Sequence, residues 1–285
     1  MFKWFPKIGP GTLIAAAFIG PGTVTICISA GVNHGFDLLW AMLFSIFGTI
    51  VLQELAARIG LITQQGISEI IRSEVNNPII RNLSTILILS AIVIGNAAYE
   101  AGNLSGGAMG TQSLFGNYDH NYYGIWIGLV AFIILYVGNY KVIERILIGI
   151  VILMSVSFLG AAIATKPSIG DIISGMFVPT LPDKSMLTVM GIIGTTIVPY
   201  NLFLHASLVK QKWTGISDIG EVRKDLYVSI LLGGVISLMI IIAAASLHDT
   251  GLSVTNAADL GRSLEPILGS SARYMIGIGL LAAGV

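Results

Sequence analysis

The chain has 285 residues, 54% of them hydrophobic and only 11% charged, with a mean hydropathy of +0.85. A soluble domain carries about 25% charged residues, so this composition predicts an all-α membrane protein and excludes an ordinary soluble enzyme. Fifteen basic residues balance fifteen acidic ones, which leaves no field for nucleic acid. Cys27 is the single cysteine, so neither a disulfide framework nor a thiolate metal site is available.

In chain order, Met1–Pro10 is short and basic, with Lys3 and Lys7, and runs into the apolar stretch 11–32 without a small-residue cleavage site. It reads as a retained first span, not a signal peptide. A bilayer needs about 20 apolar residues per helix. Spans are predicted near 9–33, 37–58, 84–110, 123–139, 143–165, 186–209 and 225–247, with an eighth beginning near 271, all in one transmembrane domain over 1–285. Between the second and third spans, Glu69, Arg72 and Glu74 alternate with Ile67, Ile70 and Ile71, the spacing of a short helix lying in the interface. With these spans, eleven of the Lys and Arg residues fall on one side and four on the other. The positive-inside rule then places the N-terminus in the cytoplasm.

Two spans are interrupted. The first contains Gly20-Pro21-Gly22-Thr23 and the sixth Val198-Pro199-Tyr200-Asn201. Proline removes a backbone donor and clashes with the preceding turn. The polar groups so freed find no partner in lipid, so such backbone belongs inside protein or beside a watery cavity. A lone proline reads more readily as a mere kink. A matched pair five spans apart is the pointer to an inverted five-plus-five repeat with its substrate site at the two unwound points. Gly20, Pro21, Gly22, Thr23, Thr195, Val198, Tyr200 and Asn201 are the substrate-binding candidates.

Other polar residues lie within the apolar spans. Glu100 shares a helical face with Asn96, Asn103 and Gly107. At that depth an ionisable group is a functional candidate, or a neutral, hydrogen-bonded packing residue. His205, one turn after the second break, reads as a coupling group or as an interhelical hydrogen bond. Glu54 and Arg58 are spaced for an ion pair at the end of the second span, and His34 and His120 fall in outer loops with no pairing between them.

Several segments together resemble the Nramp family of divalent-metal transporters. They are Gly9-Pro10-Gly11, Leu38-Leu39-Trp40, Gln53-Glu54-Leu55-Ala56-Ala57-Arg58-Ile59-Gly60, Ile143-Glu144-Arg145, and the run from Gly194 through Pro199 to His205. A weaker likeness covers Gly277–Gly284. The resemblance implies a LeuT-type inverted-repeat bundle with broken helices at spans 1 and 6. Family members have about eleven spans, so it also implies that the second repeat is incomplete here and that these residues alone do not transport. It implies alternating access, proton coupling through groups such as Glu100 and His205, and a cell-membrane location.

The ligand positions depart from the family pattern. Its Asp and Asn of the first break correspond to Gly20 and Thr23, its Met to Val198, its Ala to Thr195, and its His after the second proline to Tyr200. In span 3 the family's Asp, one turn before the Glu, is replaced, since Asn96 and Ala97 stand there. Neutral oxygens remain, but no carboxylate offsets the desolvation of a doubly charged ion. The metal ligands therefore stay unassigned. A divalent metal cation is the leading substrate; a monovalent ion or small polar solute, or a non-transporting sensor on the same scaffold, stays open. No motif of a hydrolase, zinc enzyme or phosphate loop is present. The expected partners are a small ion or polar solute, protons and the lipid bilayer, with no nucleic acid and no cofactor.

Overall fold

The computed structural model describes residues 19–116, 122–138, 140–248, 250 and 257–284. Residues 9–18 of the predicted first span, with Lys3, Lys7 and His120, lie outside the described residues. The described residues contain helices and no strand. In chain order the helices are α1 (Pro21–His34), α2 (Leu39–Thr63), α3 (Ile67–Glu74), α4 (Pro78–Phe115), α5 (Tyr123–Val137) and α6 (Tyr140–Ala164). They continue with α7 (Ile169–Phe177), α8 (Met186–Thr196), α9 (Pro199–Lys212), α10 (Ile219–Ala245), α11 (Ala257–Leu268) and α12 (Ser271–Gly284).

Local chemistry fixes the ends. The Asn77 side chain accepts from the Ile79 and Ile80 amides, and Pro78 takes the first helical position of α4, where a missing N–H costs nothing. This cap starts α4 six residues before the predicted 84. The helix then runs 38 residues, about 57 Å at 1.5 Å per residue, and stops where Gly116 takes a positive φ of 91°. Two short helices, α7 and α11, are not anticipated from the sequence. After α6 the chain bends by 117° into α7, whose first turn is capped by the Ser168 hydroxyl accepting from the Asp171 amide.

Among the described residues, Leu39–Thr63, Pro78–Phe115, Met186–Lys212 and Ile216–Ala245 are long and apolar enough to cross a bilayer, and α5 is a shorter apolar helix. The chain is an integral membrane protein. Its lipid-compatible surface includes Ile86, Leu89 and Val93 of α4 and Phe132 of α5, all exposed. The core lies around α10, with Ile240, Ile241, Met42, Leu38 and Phe158 fully buried.

The helices form two packed groups. In one, α2 lies against α8, α9 and α10, and α1 against α8 and α10; in the other, α4 lies against α5 and α12. Helix α6 bridges them, touching α10 on one side and α12 on the other. Close backbone approach sets both groups. A Cβ at Gly110 would fall 2.5 Å from the Leu281 nitrogen of α12, and one at Gly60 would collide with the Ala206 carbonyl of α9. Small residues at such crossings let dispersion contacts build up where no hydrophobic force drives helices together.

At one end of the first group, Glu54 is a hub. Its carboxylate takes Arg58 Nε at 3.1 Å, Arg223 Nε at 2.8 Å and the Tyr227 hydroxyl at 2.6 Å. The pair expected within α2 is thus extended to α10. Nearby, Lys210 Nζ donates to both oxygens of Glu69 at 2.7 Å. Lys210, then the Gly66 amide, hold the Glu69 carboxyl below the usual carboxylate range.

Gly60→Ala should therefore destabilise the protein by about 1–3 kcal/mol through overpacking. Gly149→Ala, whose added Cβ meets nothing within 4 Å, should not be destabilising and serves as the control. Thermal unfolding of the two variants in detergent checks this.

Candidate substrate site

The first break is seen from its outgoing half. Gly20 is extended (φ −85°, ψ 170°), and Pro21 opens α1 with no side chain capping its amides. The Gly20 carbonyl accepts from the Val24 amide at 3.1 Å. The second break is seen whole. Helix α8 ends at Thr196, Ile197 leaves the helix (φ −92°, ψ 81°), Val198 is extended, and Pro199 opens α9. The last carbonyls of α8 have no helical amide to accept from, and they carry the negative end of its dipole. Thr196 takes a long bond of 3.5 Å from the Thr49 hydroxyl of α2. A cation is favoured at this end.

A cavity of about 580 Å³ lies between the two groups, walled by α1, α4 and α8. Pro21, Gly22 and Thr195 from the breaks line it, as do Thr25, Ser105 and Met109. The spacing of Pro21, Thr25 and Ser29 is one helical turn each, a signal that could have been followed from the first break along α1. Gly22 leaves its wall open, since a Cβ there would meet nothing within 4 Å. Gly106 lets α4 come against the Pro21 ring, where any Cβ would clash.

The other break residues are placed differently. Gly20 borders Asn103, whose Oδ1 would lie 2.9 Å from an added Cβ. Thr23 and Val198 are buried at 5% and 3% exposure and are not part of the cavity wall. The Tyr200 ring meets Tyr99 of α4 edge-on, with centroids 5.6 Å apart. Asn201 is fully buried, and among the described residues neither its Oδ1 nor its Nδ2 has a hydrogen-bond partner. Such an orphaned carboxamide costs about 1–3 kcal/mol and points to a role other than packing.

The coupling candidates differ too. Glu100 accepts from Asn103 Nδ2 at 3.3 Å, and Asn103 in turn borders Gly20. His205 is buried, and its Nδ1 donates to Gln53 Oε1 at 2.8 Å, a bond that ties α9 to α2 away from the cavity. In a largely apolar wall, the polar groups are hydroxyls and one thioether with no carboxylate, a neutral donor set. Among the described residues no group of three His, Cys, Asp or Glu converges on a metal position. At about 30 Å³ per water, the cavity has room for an ion that keeps part of its hydration shell.

The family model for Nramp, the natural resistance-associated macrophage protein-like family, matches residues 11–285. The chain is 30% identical to the divalent metal cation transporter MntH of Bacillus subtilis, over 98% of this chain and 67% of that one. It is 28% identical to the protein of that name from Erwinia tasmaniensis, over 99% and 68%. Among solved structures, mutants of the Eremococcus coleocola manganese transporter superpose with a TM-score of 0.80 at 23% identity, covering 97% of this chain. This likeness supports the LeuT-like, Nramp-type fold. The chain spans 61% of the length of those structures.

Replacing the orphan tests what Asn201 is kept for. Asn201→Leu should raise the unfolding free energy by about 1–3 kcal/mol, read as a higher Tm in detergent. A lower Tm would mean that the carboxamide has a structural partner.

Proposed function

Because the chain belongs to the Nramp family, we propose that it forms the substrate-bearing part of a secondary transporter that moves a divalent metal cation by alternating access. The observation that carries this reading is the meeting of two broken helices at one cavity, with the carbonyl end of α8 at its wall. Broken half-helices are the transporter's way of exposing backbone dipoles to an ion at mid-membrane depth. The cavity lies where the two helix groups face each other, so a rocking of one group on the other would open it in turn to either side. The names of the relatives favour a divalent metal over the neutral solute or sensor that the donor set leaves open.

The substrate positions proposed are Gly20, Pro21, Gly22 and Thr23 at the first break, and Thr195, Val198, Tyr200 and Asn201 at the second. Gly22 and Thr195 face the ion, and α8 carbonyls supply its partial negative charge. With no carboxylate in the wall, the ion is held through its own waters to the hydroxyls of Thr25, Ser105 and Thr195. Discrimination between manganese and magnesium should then be weak. These ions differ in their affinity for soft and nitrogen ligands more than in size or charge, and Val198 offers no sulfur. Glu100 is the proposed proton-coupling group, joined to the first break through Asn103; His205 is the second candidate. The protein is placed in the cell membrane with a cytoplasmic N-terminus, in keeping with the distribution of Lys and Arg.

Manganese uptake into proteoliposomes, measured with the full-length protein, tests the site. Uptake should saturate, should be inhibited by magnesium, and should be lost in Gly22→Trp and in Thr195→Trp while membrane insertion is retained. Full uptake in both variants would remove the cavity from the path. Separately, uptake by Glu100→Gln should lose its dependence on an imposed proton gradient. A gradient response equal to that of the parent would exclude Glu100 from coupling.

A further inference from the structure

A second groove, of about 700 Å³, lies between α6 and α12. The two helices run antiparallel here, since Gly160 faces Met275 and Gly279 faces Phe158. Leu153, Val156, Met275 and Ile278 make its walls apolar, while Lys166 and Tyr274 close one end. Lys166 follows the end of α6 and Tyr274 lies in the first turn of α12, so both sit at the same end of the antiparallel pair. From Leu153 to Ala164 the α6 wall is eleven residues of rise, about 16 Å at 1.5 Å per residue. That is close to half of the roughly 30 Å hydrocarbon core, the depth of one leaflet.

The polar end is built at some cost. Lys166 has φ of +49° and stands immediately before Pro167, a position where any residue but glycine is strained. Helices commonly end in glycine at such a place. Keeping lysine there, at the end of an apolar slot, is an outlier that calls for a role.

We propose that this groove holds one anionic phospholipid, with an acyl chain lying between α6 and α12 and its phosphate at the Lys166 ammonium and Tyr274 hydroxyl. A neutral lipid fills the apolar slot equally well, so the lysine is what selects the headgroup. Because α6 joins the two helix groups, the lipid occupies one flank of the joint between them.

Native mass spectrometry of the detergent-solubilised chain, titrated with phosphatidylglycerol or phosphatidylcholine of matched acyl chains, reads this directly. Phosphatidylglycerol should be retained about fivefold more strongly, the effect of one lysine beside an anionic headgroup. Lys166→Gly, which relieves the backbone strain and so does not endanger folding, should erase that preference, while Lys166→Arg should keep it. Val156→Trp should lower retention of both lipids by filling the slot. Lys184→Ala, a lysine also at positive φ but outside the groove lining, should leave the preference intact. Equal retention of the two lipids by the parent, or an undiminished preference in Lys166→Gly, overturns the proposal. So does displacement of phosphatidylglycerol by millimolar inorganic phosphate alone, which would mark a site for free anions.

Discussion

Everything in this structure depends on the requirement that a backbone amide or carbonyl inside a bilayer find a partner within the protein. Continuous helices meet that requirement unaided, and most of the chain is built from them. The two breaks violate it. At each, a proline interrupts the ladder and frees backbone groups that lipid cannot satisfy. The protein encloses them instead, burying Val198 and Asn201 against their neighbours and letting Thr49 reach across from α2 to the Thr196 carbonyl. What cannot be enclosed opens onto the cavity. The proposed ion site is thus the place where the backbone's unmet demand and an ion's demand for oxygen would answer each other.

This explains how a wall without a carboxylate can still serve a cation. A formal charge in the first break would sit where Gly20 stands, and that position borders Asn103, which is hydrogen-bonded to Glu100. The carboxyl group of Glu100, on the neighbouring α4, stands one side chain removed from the break. The cavity therefore offers an ion dipoles at short range and a carboxylate at longer range. Such an arrangement suits an ion that keeps part of its water, because a bare divalent ion gains too little from neutral oxygens to offset its desolvation.

The breaks, the interhelical hydrogen bond of His205 and the short helix α3 were legible from residue type and spacing, because proline, histidine and an isoleucine–glutamate alternation each have few physical readings. The rest was not, for identifiable reasons. Helices α7 and α11 carry charges and lie in segments too short for a span, so an apolar-length criterion passes over them. Thr25, Ser105 and Met109 belong to residue types that are ordinary in membrane helices, and only the angular position of α4 against α1 makes them walls of the cavity. Burial divides the second break in a way its sequence does not show. Thr195 faces the cavity, whereas Asn201 turns inward with its amide unpaired. The early start of α4 depended on a cap formed by Asn77, a residue that reads as loop when polarity alone is weighed.

The Glu54 hub has a further consequence. One carboxylate receives donors from α2 itself and from both Arg223 and Tyr227 of α10. The ends of α9 and α3 are fastened alongside, through Gln64 to the Trp213 carbonyl and Lys210 to Glu69. Four helices are thereby riveted at one membrane face like boards under a single batten. A gate on that face cannot swing on any of their mutual seams without breaking several charged contacts together. The contact of α1 with α4, with Pro21 against Gly106 and Gly20 beside Asn103, involves no ion pair among the described residues, so less opposes movement there.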